Sequence, residues 1–97
     1  MRLEIDDEAL AEAEQARDLY AERSAKAGQD FGLQLDHAIE NIVANPMLWA
    51  PWSGRIRQYV LEQFPYSVFY RVRGDVIRVL AITHQRRRPG HWRRRKR

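Results

Sequence analysis

Two runs of alternating apolar and polar residues on either side of Gly74-Asp75 constrain the fold of this chain more than any other feature. The runs Ser67 to Arg73 and Val76 to His84 have the two-residue period of β-strands, and a Gly-Asp pair is typical of a tight hairpin turn. The sequence therefore predicts an antiparallel hairpin. Its cross-strand pairs would be Arg73–Val76, Val72–Ile77, Arg71–Arg78, Tyr70–Val79, Phe69–Leu80 and Val68–Ala81.

This register gives the hairpin one apolar face and one basic face. The apolar face, suited to packing on helices, collects Val68, Tyr70, Val72, Ile77, Val79 and Ala81. The basic face carries Phe69, Arg71, Arg73, Arg78, Leu80, Ile82 and His84, and Arg55 and Arg57 could extend it. Arg71 faces Arg78, and like charges across strands cost stability. Either a bound anion lies between them, which we favour, or Glu62 on a neighbouring segment neutralises them.

Two helices are predicted upstream of the hairpin. A short strand, Arg2 to Ile5, precedes a helix that is capped by Asp6 or Asp7 and runs to about Lys26. Gly28 is expected to break this helix, and Asp30 to cap the next one, which Asn45-Pro46 ends. The second helix has one apolar face, formed by Phe31, Leu35, Ala38, Ile39, Ile42 and Val43. The short break predicts an antiparallel helix hairpin.

The segment between the second helix and the hairpin is predicted to be a loop and a strand. Met47 to Gly54 is the loop, and its Trp49 and Trp52 either cover one end of the core or form a partner-binding patch. Arg55 to Leu61 is the strand. The fold class is therefore α+β: a twisted antiparallel sheet of about four strands with a two-helix hairpin on one face. We expect one domain, 1–92, and a basic, flexible tail, 93–97.

Composition excludes several classes of protein. The hydrophobic content of 44% is ordinary for a globular chain, and the lack of cysteine excludes disulfide scaffolds, thiolate zinc sites and cysteine nucleophiles. Acidic residues occupy the region where a signal peptide would need basic and apolar ones, and no apolar run approaches the roughly 18–20 residues of a membrane helix. We expect a soluble, cytoplasmic protein.

Charge is distributed unevenly along the chain. Residues 1–45 hold eleven acidic and four basic residues, a net charge of −7. Residues 46–84 have a net charge of +3, and residues 85–97 carry eight basic and no acidic residues. This asymmetry predicts an acidic or polyanionic partner for the C-terminal half.

Histidine is the residue type here that could exchange protons near neutral pH. His84 ends the last predicted strand and is the best candidate, whereas His37 is expected to be exposed on a helix and His91 lies beside Trp92. No pair of these residues has metal-ligand spacing, and there is neither a phosphate-binding glycine loop nor a serine nucleophile motif. We expect no metal and no cofactor.

Two segments resemble a known family. The run Phe64 to Val72 and the ending His-x-x-Arg-x-Pro-x-x-Trp, from His84 to Trp92, are similar to the RelE/ParE superfamily of toxins from type II toxin–antitoxin modules. The order of predicted elements agrees over nearly the whole chain. The resemblance implies a cognate antitoxin as partner, which covers the toxin with an amphipathic, often acidic segment.

The superfamily divides by target. RelE-like members are ribosome-dependent mRNA endoribonucleases, and ParE-like members poison DNA gyrase. Here Ser67 follows Tyr66 where the nucleases have an arginine, and Trp92 stands where they have a tyrosine, so the sequence is more similar to ParE. The resemblance then implies a gyrase-directed toxin without catalysis. The alternatives are a RelE-like nuclease acting on the ribosome and mRNA, and an inactive toxin or basic binding module.

The binding hypothesis and the endoribonuclease hypothesis predict different site residues. The partner-binding candidates are Arg71, Arg73, Arg78, Arg86, Arg87, Arg88 and Trp92. For an endoribonuclease the catalytic candidates are Arg57, Arg71, Arg78, His84, Arg87 and His91, with arginines stabilising the developing charge and histidines moving protons.

Overall fold

A computed structural model describes residues 1–87 and 90–94 and shows two helices packed against one face of a sheet. In chain order the elements are β1 (Arg2–Ile5), α1 (Asp7–Arg23), α2 (Ala25–Ala44), β2 (Ala50–Ser53), β3 (Ile56–Val60), β4 (Tyr66–Arg73), β5 (Val76–His84) and a 3-10 helix (His91–Arg94). The strands lie in the order β1-β5-β4-β3-β2. The predicted α+β class and the antiparallel helix hairpin are confirmed.

The sheet has five strands rather than about four, and it is mixed rather than antiparallel. The additional strand is β2, in the segment expected to be a loop. Pro51 lies within β2 and a bulge follows it, features that are tolerated at a sheet edge but leave no alternating pattern in the sequence. β1 pairs with β5 in parallel, from Arg2 opposite Val76 to Ile5 opposite Val79.

The helices meet at Ser24, and the expected break at Gly28 is wrong. Ser24 caps α2 because its Oγ accepts a hydrogen bond from the Ala27 backbone N–H at 3.0 Å. Gly28 is buried inside α2, where an added Cβ would lie 2.8 Å from the Cβ of Ala21. This glycine therefore lets the two helices approach closely. Asp30, expected to be the cap, instead pairs with Lys26 at 2.7 Å. The end of α2 before Pro46 is confirmed.

The hairpin register is confirmed for its first four pairs and then shifts by one residue. A bulge in β5 leaves Phe69 opposite Ala81, and Val68 opposite Ile82. Because side chains alternate between the faces of a strand, the extra residue exchanges the faces of everything beyond it. Ile82 joins the core beneath the helices, and Ala81 packs on the other face. The predicted faces of these two residues were therefore wrong.

The core has two parts, one on each face of the sheet. Beneath the helices the rings of Tyr20, Phe31, Phe64 and Tyr66 contact one another, and Trp49 covers the edge of this core. On the outer face a second cluster consists of Phe69, Leu80, Ala81 and Trp92, with Trp52 and Ile56 packed against it. Within the described residues no helix is both long and apolar enough to cross a membrane.

Candidate partner-binding site

The arginine pair on the hairpin forms as predicted, but its neutralising group is different. Arg71 lies directly opposite Arg78. The Nε of Arg78 donates a hydrogen bond of 2.6 Å to Oδ1 of Asp6, the residue that follows β1. Glu62, the expected candidate, is exposed in the turn before β4. Asp6, directly after β1, therefore supplies the carboxylate. The parallel pairing of β1 with β5 places it beside Arg78.

The hydrogen bond that Arg78 donates to Asp6, together with the negative charge of Asp6, raises the pKa of the Arg78 guanidinium. Arg71, Arg73 and Arg78 line a cleft of about 180 Å³ near the hairpin turn, together with Glu4 and Val76. Arg73 is exposed at the end of β4. The three predicted arginines thus share one surface, on which carboxylates of β1 and its following residue offset part of the positive charge.

Arg55 and Arg57 do not extend this surface. Arg57 is opposite Tyr70, which lies in the core beneath the helices, so Arg57 is on the helix side of the sheet. Its Nη1 donates a hydrogen bond of 2.6 Å to the Trp49 carbonyl oxygen. Arg55 and Arg57 instead line a cleft with Met47. The expectation of one continuous basic face was wrong because Arg57 pairs with a core residue of β4 and Arg55 lies in the turn before β3, beside Arg57.

The second group of predicted residues gathers at the far end of β5. His84 is opposite Tyr66, a residue of the core beneath the helices, and their ring centroids are 5.2 Å apart. The bulge therefore turns His84 away from the face on which it was predicted. Its Nδ1 accepts a hydrogen bond from the Arg86 backbone N–H at 3.0 Å, so a neutral His84 carries its proton on Nε2.

His84 and Arg87 line two clefts at this end of the sheet. One, of about 180 Å³, opens toward α1 and includes Glu12 and Tyr66. The other, of about 400 Å³, crosses the outer face and includes Ser67 and Trp92. Burial, and then the neighbouring Tyr20, raises the pKa of Tyr66, and Arg87 opposes the shift. Sequence reasoning missed Tyr66 and Glu12 as neighbours of this site, because their approach depends on the bulge and on helix packing.

Residues 85–87, which we call the arginine loop, are held at both sides. The Gln85 backbone N–H donates to the Pro65 carbonyl oxygen at 2.7 Å, and that of Arg87 donates to the His84 carbonyl oxygen at 3.0 Å. Arg86 and Arg87 are exposed. Arg88, also predicted to bind a partner, lies outside the described residues, as do residues 95–97 of the predicted tail.

Trp92 lines the same cleft of about 400 Å³ as Gln85 and Arg87. Only 2% of its surface is exposed, and its ring packs 5.3 Å from Phe69 and 5.6 Å from Trp52. Gly90, at a φ of +77°, lets the chain turn into the 3-10 helix, in which Arg93 lies over the Trp52 ring. The indole is thus almost fully withdrawn from solvent, and the role of Trp92 in partner binding stays a prediction.

The six residues proposed for endoribonuclease chemistry do not converge on one point. His84 follows Arg78 on β5 by six positions, a length of about 20 Å at roughly 3.3 Å per residue. Arg57 is on the helix side of the sheet, Arg71 and Arg78 line one cleft near the hairpin turn, and His84 and Arg87 line another at the far end of β5. His91 lies in the 3-10 helix. Among the described residues no group of three or more His, Asp and Glu side chains could hold a metal ion.

Comparisons with known proteins identify the family of this chain. Residues 3–89 match the family model for the ParE toxin of the type II toxin–antitoxin system parDE. The structure is also similar to a solved chain described as the chromosomal ParDE TA system from P. aeruginosa, with a TM-score of 0.69 and 27% sequence identity over 87% of this chain and 95% of that one. No curated protein matches the chain. The match over nearly its whole length shows that the chain belongs to the ParE toxin family of type II toxin–antitoxin systems.

Proposed function

We propose that this toxin stops growth by binding DNA gyrase, and that it makes this contact through the arginine loop and without catalysing a reaction. Membership of the ParE family supports the choice of target. The observation that carries the proposal is the dispersal of the candidate nuclease residues over both faces and both ends of the sheet. Acid–base and electrostatic catalysis need their groups within a few ångströms of one reacting centre, whereas a binding surface does not.

The arginine loop suits a contact with an acidic surface. Arg86 and Arg87 are exposed, while the backbone of this loop follows β5 directly and is held by the hydrogen bonds to Pro65 and His84. A loop whose backbone is already held loses less conformational entropy on binding. We further propose that the cognate antitoxin neutralises the toxin by covering its basic surfaces, including the cleft lined by Arg71, Arg73 and Arg78.

The test is pulse-labelling of DNA and protein synthesis in the minutes after induced expression, combined with a gyrase supercoiling assay on the purified chain. We expect DNA synthesis to fall first and supercoiling to be inhibited. The double variant R86Q/R87Q should weaken inhibition at least tenfold, and H84Q should change it less than twofold. A fall in protein synthesis with cleaved messages, or no growth defect at all, would reject the proposal.

A second candidate function, mRNA cleavage on the ribosome, is favoured by one observation. His84 and Arg87 share a cleft with Tyr66, so a proton-transfer group and a cation could meet the same phosphate there. In that case H84Q should abolish message cleavage while the chain remains folded. Parallel measurement of both activities in the wild type and in H84Q separates the two functions.

A further inference from the structure

The loop between α2 and β2 is held by three side-chain hydrogen bonds. The Tyr70 hydroxyl donates to the Pro46 carbonyl oxygen at 2.6 Å, and Nη1 of Arg57 donates to that of Trp49 at 2.6 Å. Nε1 of Trp49 in turn donates to the Asn41 carbonyl oxygen at 3.3 Å. Bonds from a core tyrosine, from β3 and back to α2 thus fix the loop on three sides.

This fixed loop presents two large apolar side chains to solvent. Met47 is 62% exposed and Leu48 is 66% exposed. Neither is needed to fill the core, since Trp49 covers its edge. Methionine is enriched at protein interfaces, and a contact that is already in place on a rigid backbone has a smaller entropic cost of binding. The loop therefore has the properties of a preformed docking surface.

Two arginines flank Met47 and give the surface its charge. A cleft of about 290 Å³ is lined by Met47, Pro51, Gly54, Arg55, Arg57 and Val72. Neither arginine forms an ion pair with a carboxylate of the described residues. Arg57 uses one nitrogen on a neutral carbonyl, which leaves its charge unneutralised. Residues 46–84 together carry a net charge of +3.

We infer that Met47, Leu48, Arg55 and Arg57, which we call the α2–β2 surface, form a docking site for an acidic protein segment that carries large apolar side chains. The apolar side chains of the partner would contact Met47 and Leu48, and its carboxylates would meet the two guanidinium groups. The inference does not depend on what the toxin inhibits. It also names a site separate from the arginine loop, because Arg57 lies on the helix side of β3 and Arg55 lies in the β2–β3 turn beside it.

A peptide partner fits these observations better than a nucleic acid. A phosphate backbone would be bound by the arginines alone and would leave Met47 and Leu48 exposed. A second copy of the chain is the other acidic candidate, because α1 exposes Leu10 and Leu19 among carboxylates. Such a contact would join different surfaces of the two copies and would not close into a dimer. Both alternatives are outcomes of the test.

The test maps binding on the full chain by NMR. The probe is a synthetic 16-residue peptide of Leu, Ile, Glu and Asp, compared with one in which Lys replaces the acidic residues. A 12-mer of oligothymidylate serves as the nucleic-acid probe. The variants are M47S/L48S, R55Q and the matched control L33S, whose leucine is 67% exposed on α2 and lies outside the α2–β2 surface. Circular dichroism checks that each variant is folded.

We expect the acidic peptide to shift amide signals of residues 45–57. M47S/L48S should weaken binding at least tenfold and R55Q about threefold, L33S should change it less than twofold, and the lysine peptide should not bind. Absence of peptide binding, shifts centred on α1 and α2, or equal weakening by L33S would overturn the inference. Shifts of these residues by oligothymidylate alone, or self-association of the chain through them in sedimentation, would also overturn it.

Discussion

The guanidinium of Arg78, near the start of β5, is joined to the carboxylate of Asp6 by a hydrogen bond of 2.6 Å. Asp6 is at the junction of β1 and α1, and only 4% of its side chain is exposed, against 42% for Arg78. The bond therefore fixes the start of α1 to β5. It also explains how the hairpin tolerates two arginines side by side.

We expect Asp6→Asn to lower the free energy of unfolding by about 1–3 kcal/mol, because it removes the charged acceptor of this bond and leaves Arg78 beside Arg71 without it. Urea denaturation measures the change. Asp18→Asn, at an exposed position of α1, is the control and should alter stability by less than about 0.5 kcal/mol. Equal effects of the two substitutions would show that the bond contributes nothing.

The two glycines of α2 should respond in opposite ways to alanine. At Gly28 the new methyl group would lie 2.8 Å from the Cβ and 3.1 Å from the Cα of Ala21, so the helices must separate. We expect a loss of about 1–3 kcal/mol in stability. At Gly32 the methyl group would meet only the flexible Arg17 side chain, at 3.6 Å. Gly32→Ala should be neutral or stabilising by up to about 1 kcal/mol, through helix propensity. Thermal unfolding of both variants compares them directly.

Stability should fall in alkaline solution because of Tyr70. Burial raises the pKa of Tyr70 to about 12, from 10.0. Between these two values the unfolded chain loses the phenolic proton and the folded chain retains it, so unfolding becomes easier as the pH rises. The slope is at most about 1.4 kcal/mol per pH unit for one such group.

The variant Tyr70→Phe isolates this effect. It loses the hydrogen bond to Pro46, at a cost of about 1 kcal/mol near neutral pH, and it should lose stability less steeply between pH 10 and 12. Urea titrations at pH 8, 10 and 11 provide the comparison. A parallel decline in both proteins would assign the alkaline instability to another group.

Trp92 should act through its ring and not through its indole N–H. Nε1 is buried and has no hydrogen-bond partner among the described residues, whereas the ring packs on Phe69 and Trp52. Trp92→Phe should therefore cost less than about 1.5 kcal/mol, and Trp92→Ala about 3–5 kcal/mol. Amide hydrogen exchange at residues 85–87 should accelerate in the alanine variant. Unchanged exchange there would show that Trp92 does not hold the arginine loop.

The sequence was most informative where one local pattern decided the outcome. The period of two around Gly74-Asp75 predicted the hairpin and its first four pairs, and Asn45-Pro46 predicted the end of α2. It was least informative where contacts between residues distant in the sequence determined the structure. The bulge in β5 moves the residues after it to the opposite face of the sheet, and no sequence pattern marks it. A glycine such as Gly28 can either break a helix or let two helices touch, and the sequence alone does not distinguish these roles.

The candidate site shows the same division. Arg86 and Arg87 are exposed as their charge suggested, but Asp6 could be assigned to Arg78 only after β1 was placed beside β5. Trp92 was expected at a partner surface and is buried instead. One signal for this was present: Phe69 and Leu80, both apolar, pointed to the face that was predicted to be basic, and an apolar pair there requires a cover.

The pairing of Arg2 with Val76 has a consequence for synthesis of the toxin. The first strand of the chain has no partner until the ribosome has made the last one, so the helix hairpin emerges well before the sheet that it must cover. Contacts between residues so distant in sequence form late and slowly. The growing chain therefore cannot complete its sheet, or form the arginine loop that follows β5, until β5 has been translated.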